Sequence, residues 1–145
     1  AGSPEGKTFY LCGPEEMYRF VKPELEKLGV ARRRIRYEAS GPLADVTKEA
    51  GWPADAEPHR VFQVAVRGLR TIPARAGEPL LNTLERHGLA VPSLCRSGEC
   101  GYCRMKVLSG RVFMPDRAAI READRWSGHV HACLAYPLSD LEIRL

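Results

Sequence analysis

The sequence predicts an α+β protein in two unequal parts. A strand–helix–strand unit over residues 1–38 leads, through a linker at 39–58, to a small mixed sheet with a helix packed on it over 59–145. Three observations carry this reading. Near the N-terminus a short apolar run is followed by apolar residues at helical spacing. The stretch ASGPLADVTKEAGWPADAEP then loses all period and holds Pro42, Pro53, Pro58, Gly41 and Gly51. Beyond it apolar and polar residues alternate, the period of a half-buried strand.

Taken in order, TFYL at 8–11 is a strand, and Cys12–Gly13–Pro14 turns it into a helix. Proline suits the first helical position, where its missing N–H would be unpaired anyway, and Glu15 and Glu16 complement the positive end of the helix dipole. Met17, Val21, Leu25 and Leu28 form the apolar face; Pro23 is expected to kink or split the helix, and Gly29 to stop it. RIRYE at 34–38 is the second strand. A parallel pair of this kind needs covering on both faces, so 1–38 reads as the last piece of a larger α/β domain. In the linker, Trp52 is expected to pin the chain to a neighbouring surface.

Phe62, Val64 and Val66 open the second part as a strand, Gly68 turns it, and 70–75 returns. PLLNTLERHG at 79–88 is a helix with proline at its start and glycine past its end. A cysteine-bearing loop follows. Residues 104–108 and 111–113 read as a hairpin about Ser109–Gly110, residues 117–126 as a short helix, and 141–145 as a closing strand.

The chain has 145 residues and a formal charge of +4, unevenly spread. Residues 1–58 carry nine Lys/Arg and ten Asp/Glu, a net of −1; residues 59–145 carry thirteen and eight, a net of +5. Apart from Arg32–Arg33–Arg34 the basic residues are scattered, without the aromatic-interleaved stripe that nucleic-acid binding needs. No apolar run approaches the roughly 18 residues of a membrane span. The N-terminus lacks the basic and apolar regions of a secretory signal, which points to the cytoplasm, where thiols stay reduced.

Cys95, Cys100, Cys103 and Cys133 are spaced C-x4-C-x2-C-x29-C. This is the spacing of plant-type [2Fe–2S] sites. A cluster held by four thiolates concentrates negative charge in a low-dielectric pocket, so backbone N–H groups must approach its sulfurs closely. Gly98 and Gly101 permit that approach, Ser93 and Ser97 add hydroxyl donors, and Arg96 and Arg104 flank the loop where they are expected to offset the charge. A zinc-stabilised protein-binding module is the alternative, although zinc cysteine sites usually pair two short knuckles and only one C-x2-C occurs here. A Rieske centre would need two histidines; His129 and His131 precede Cys133, but three cysteines crowd the first loop, and both histidines are read as structural or solvated. No base stands in the loop to activate a catalytic thiol.

SLCRSGECGYCRMKVLSG, then HACLAYP and the closing LEIRL, resembles the plant-type ferredoxin domain over 61–145. The resemblance implies a β-grasp fold, ligation of the cluster by Cys95, Cys100, Cys103 and Cys133, and an outer, electron-accepting iron on Cys95 and Cys100. FYLCGPEEMYRFV with LEKLGV and RIRYE is similar to the end of the nucleotide domain of the ferredoxin–NADP reductase superfamily, where Cys12, Gly13 and Pro14 would stand beside a nicotinamide. The order of the two pieces resembles the phthalate dioxygenase reductase type. It implies a C-terminal fragment of an NAD(P)H-dependent oxidoreductase whose flavin (FAD or FMN) and nucleotide domains would be partners, together with a downstream redox protein such as an oxygenase. The segment alone is not expected to turn over NAD(P)H.

Overall fold

A computed structural model describes residues 3–13, 15–37, 43 and 45–145. The chain divides into two compact units, Ala1–Ser40 and Gly41–Leu145.

In the smaller unit, β1 (Phe9–Leu11) and β2 (Ile35–Tyr37) run parallel, with Phe9 opposite Ile35. Helix α1 (Glu15–Lys27) makes the crossover. Leu25, Val30 and Ile35 are buried together, with Phe9, Leu11 and Val21 against them. Two expectations change. Leu28 is 64% exposed and Val30 takes its place, because Gly29 (φ +81°) closes the helix in a Schellman turn: the Val30 N–H bonds the Leu25 carbonyl at 3.0 Å and the Gly29 N–H that of Glu26 at 2.9 Å. Of the kink or split expected at Pro23, the split does not occur, and α1 runs through it as one helix. The ring lies on the exposed side, where proline forfeits its own hydrogen bond while Val21 and Leu25 hold the helix to the strands on either side. Of the expected strand 34–38, Arg34 belongs to a 3-10 turn and Glu38 lies outside the described residues.

The larger unit is built on β3 (Val61–Val66), β4 (Thr71–Arg75), α2 (Leu80–Arg86), β5 (Arg104–Ser109), β6 (Val112–Phe113), α3 (Glu122–Trp126), β7 (His129–His131), β8 (Tyr136–Pro137) and β9 (Leu141–Arg144). Among the described residues, five of these strands form one mixed sheet in the order β4-β3-β9-β5-β7, parallel only between β3 and β9. Alternation works as the sequence implies: Val64, Val66, Ile72 and Ala74 point inward, and Pro73 is tolerated because β4 is an edge strand. Helix α2 lays Leu80, Leu81 and Leu84, all fully buried, against a core that includes Leu134 and Ile143. A mixed sheet curled over one helix is the β-grasp architecture.

The expected hairpin at 104–113 does not form. β5 pairs with β9 and β7, whereas β6 leaves the sheet to pair with β8. Gly110 (φ +94°) redirects the chain so tightly against the 139–141 turn that a Cβ there would stand 2.2 Å from the Asp140 carbonyl oxygen. Phe113 is thereby delivered to an aromatic cluster. The helix expected at 117–126 shortens to α3, because 115–120 are spent in turns.

Residues 45–58 are ordered against this unit. Asp45 caps a 3-10 turn at Val46–Lys48, accepting from the Thr47 N–H at 3.0 Å, and Val46 is buried with Phe113 and Tyr136. Trp52 meets Phe113 edge-on at 5.3 Å and Tyr136 at 6.3 Å, and its indole N–H donates to the Ala56 carbonyl at 3.2 Å. Trp52→Ala is therefore expected to lower stability by roughly 2–3 kcal/mol, from lost burial and two aromatic contacts. Urea denaturation checks this; a loss below about 0.5 kcal/mol, the scale of an inert surface change, would mean the segment merely rests on the fold.

Candidate metal centre

Between α2 and β5 the chain has no regular element, and this is where Cys95 and Cys100 stand. Cys103 immediately precedes β5; Cys133 lies in the 3-10 turn Ala132–Leu134 that follows β7. Pairing of β5 with β7 sets Arg104 opposite His131, and the Ala132 N–H bonds the Cys103 carbonyl at 3.0 Å. Two cysteines 30 positions apart in sequence are thus fastened to one end of the sheet.

The remaining loop is shaped by left-handed residues: Arg96 (φ 55°), Gly98 (φ 81°) and Gly101 (φ 69°). For arginine this backbone is costly. It is held by an ion pair to Glu85 of α2 at 2.5 Å. Arg104 likewise reaches Asp124 of α3 at 2.6 Å. Both arginines were expected to offset charge on the loop; with a carboxylate committed to each, they act as ties between loop and helices. Backbone donors also face the sulfurs. The Cys100 N–H points to Cys95 Sγ and the Tyr102 N–H to Cys100 Sγ, each at 3.4 Å, and the Gly98 N–H is turned to Cys133.

The thiols fall into two pairs, Cys95 with Cys100 and Cys103 with Cys133. Burial works against ionising Cys95, but the Ser97 hydroxyl and N–H and the Cys100 donors outweigh it and bring the thiol down to about 6. The buried Ser97 hydroxyl makes no well-aligned hydrogen bond, and the Cys95 sulfur is the group it favours. Cys103 is brought down to about 7, chiefly by the thiol of Cys133, against burial. Cys133 is pushed far up because it is the donor of that bond and is itself buried. Exposure grades across the site: Cys100 is open and Cys95 half-buried, while Cys103 and Cys133 are 3% and 1% exposed.

This arrangement fits a two-iron cluster better than a single ion. The four thiols offer two sulfur pairs, Cys95 with Cys100 on the loop and Cys103 with Cys133 at the end of the sheet, one for each iron of such a cluster. Cys95, Arg96, Ser97, Gly98, Cys100, Gly101, Cys103 and Cys133 come together. Cys12 and Gly13 belong to the other unit: Cys12 is exposed, and the Gly13 N–H donates to the Tyr18 hydroxyl at 3.0 Å. Pro14 lies outside the described residues.

The 2Fe-2S iron-sulfur cluster binding domain model matches residues 64–138. The chain belongs to this family. Its cofactor is a [2Fe–2S] cluster, and the zinc alternative is set aside. Curated relatives include NADH oxidoreductase HCR of Escherichia coli, 30% identical over 97% of this chain and 41% of that protein, and phenoxybenzoate dioxygenase subunit beta of Ectopseudomonas oleovorans, 38% identical over 86% and 35%. Among solved structures, phthalate dioxygenase reductase superposes with a TM-score of 0.64 over 99% of this chain and 41% of that one, at 22% identity, a likeness of fold. The chain spans about two fifths of the length of the curated relatives it matches.

Of the structural and solvated roles that the sequence leaves open for His131, the structure shows the structural one. His131 is 3% exposed, and its Nδ1 lies 2.7 Å from the Gly98 carbonyl oxygen. The available signal was a histidine two positions before Cys133 combined with two loop glycines, since those glycines make room for a ring as well as for sulfur.

Proposed function

We propose that this chain is the electron-carrying end of a longer NAD(P)H-dependent flavin reductase. Cys95 and Cys100 hold the outer iron of its [2Fe–2S] cluster, Cys103 and Cys133 the inner one. Residues 1–38 close the reductase's nucleotide domain, with Cys12, Gly13 and Pro14 toward the nicotinamide; 39–58 link it to a ferredoxin domain at 59–145. The presence of an NADH oxidoreductase, a dioxygenase subunit and a monooxygenase reductase subunit among the relatives supports an acceptor that is an oxygenase or a similar redox protein. A cytoplasmic setting agrees with cysteine used for ligation. Among the described residues no helix is long and apolar enough to cross a membrane.

The observation that carries this reading is the exposure gradient over two sulfur pairs. Bound there, a [2Fe–2S] cluster supplies one-electron chemistry. The chain's own part is to bury one pair in a rigid core, turn N–H donors to the sulfurs, and open the other pair to a partner. Exposed Leu94 and Tyr102 neighbour the outer pair and offer it an apolar contact.

The purified chain is expected to be red-brown, to contain iron and acid-labile sulfide in equal amounts, and to bleach with dithionite. A colourless zinc protein would overturn the assignment. With NADH or NADPH and an artificial acceptor the same chain should show no steady turnover, with or without added FAD or FMN, because hydride transfer needs a flavin held against the nicotinamide and a pyrophosphate site. Turnover at reductase rates would place a complete nucleotide site within these residues.

A further inference from the structure

Among the described residues Thr83, Ser97 and His131 are buried polar side chains, and Tyr136 buries its hydroxyl in the aromatic cluster. Thr83 is satisfied by Glu78, and Ser97 belongs to the cysteine loop. His131 is different: it is a strand residue of β7, and its ring leaves the sheet to support the loop.

Its surroundings define what it does. Nδ1 lies 2.7 Å from the Gly98 carbonyl oxygen, which also accepts the Ala119 N–H at 3.0 Å. Facing a carbonyl, Nδ1 must be the donor. A Cβ built on Gly101 would come within 3.3 Å of Nε2, so the ring also lies against that glycine. One imidazole therefore spans the two left-handed glycines on either side of Cys100. Its backbone sits opposite Arg104, next to Cys103, and two positions before Cys133. It ties the segment of the outer cysteines to the strands that hold the inner ones.

A glycine with positive φ can reorient the peptide that follows it at little steric cost. In a planar trans peptide the C=O and the next N–H point opposite ways. Holding the Gly98 carbonyl toward His131 and Ala119 therefore turns the Glu99 N–H away from β7. Without the imidazole donor the carbonyl would keep the Ala119 bond but lose one of the two hydrogen bonds that oppose reorientation.

We propose that His131 is a positioning residue for the cluster: its Nδ1–H bond to Gly98 sets the Gly98–Glu99 peptide and the seat of Cys100. This rests on the ligand assignment above. Hydrogen bonds one layer beyond the ligands orient them and tune the metal. Leucine in this place would fill similar volume and donate nothing; asparagine would present an amide N–H close to where Nδ1 stands.

The test uses the cluster-loaded chain with His131→Leu and His131→Asn. Iron and sulfide content is measured first. Then come the midpoint potential, the g-values of the reduced cluster, and the rate of iron loss to a chelator. His131→Leu is expected to show a more negative potential, shifted g-values and iron loss faster by roughly tenfold; His131→Asn should return all three toward wild type. If His131→Leu does not load, His131→Asn carries the test: loading with a wild-type potential supports the hydrogen bond, and failure to load overturns it. Equal displacement of both variants would assign the effect to the ring's packing and overturn it too. A loaded wild type with an unmoved His131→Leu variant sinks this proposal alone, whereas a wild type without iron and sulfide sinks the ligand assignment and this proposal with it.

Discussion

Cys133→Ala is expected to leave the chain without a stable cluster. Cys133 is 1% exposed and sits in a tight turn between β7 and β8, fastened through Ala132 to the backbone of Cys103. Alanine removes one of the two sulfurs of the buried pair. No water can take its place easily, because Ala132, Leu134 and Ala135 around it are fully buried. The inner iron would keep one protein thiolate, Cys103, in an apolar pocket where an incomplete ligand set is costly. The visible absorption, the iron-to-sulfide content and the signal of the reduced state should fall together, by more than tenfold in occupancy. Cys12→Ala is the matched control and should change none of them. A Cys133→Ala protein with a normal spectrum and normal reduction would mean that another group closes the site.

How far this could be read in advance depended on the range of the signal. Val61–Val66, Thr71–Arg75 and Leu80–Arg86 announce themselves through local periods, and their neighbours in space only deepen what period predicts. β7 and β8 have three and two residues. Such strands exist because distant segments pair with them: Met105 with Val130, and Val112 with Pro137. The Ser109–Gly110 turn is a fair hairpin signal. It loses to the aromatic cluster, since burying Phe113 against Trp52 and Tyr136 outweighs pairing β6 with β5. At the site, spacing identifies four cysteines but not which sulfurs adjoin. That needs the β5–β7 register. The ties from Arg96 to Glu85 and from Arg104 to Asp124 span 11 and 20 positions, so neither carboxylate partner could be read from the loop itself.

Gly98→Ala tests whether the loop's shape, beyond its sulfurs, is required. Two costs add. The backbone at φ +81° disfavours any side chain, at roughly 1–2 kcal/mol. The new Cβ would also stand 2.4 Å from Leu134 Cδ1 and 3.1 Å from its Cγ. Leu134 is fully buried and cannot swing clear, so relief must come from moving the loop or the core, at roughly 1–3 kcal/mol. Moving the loop is the damaging route. Gly98 is the residue whose N–H faces Cys133 and whose carbonyl is held by Ala119 and His131. Gly68→Ala separates the two costs: it sits at φ +78° with nothing within 4 Å of its Cβ, and so bears the backbone term alone. The expected order in urea denaturation is Gly98→Ala worse than Gly68→Ala by at least about 1 kcal/mol, with faster cluster loss in the first variant and wild-type cluster retention in the second. If the two variants matched in stability and in cluster retention, Leu134 would be yielding freely, and the close packing of the loop on the core would have no bearing on how the cluster is held.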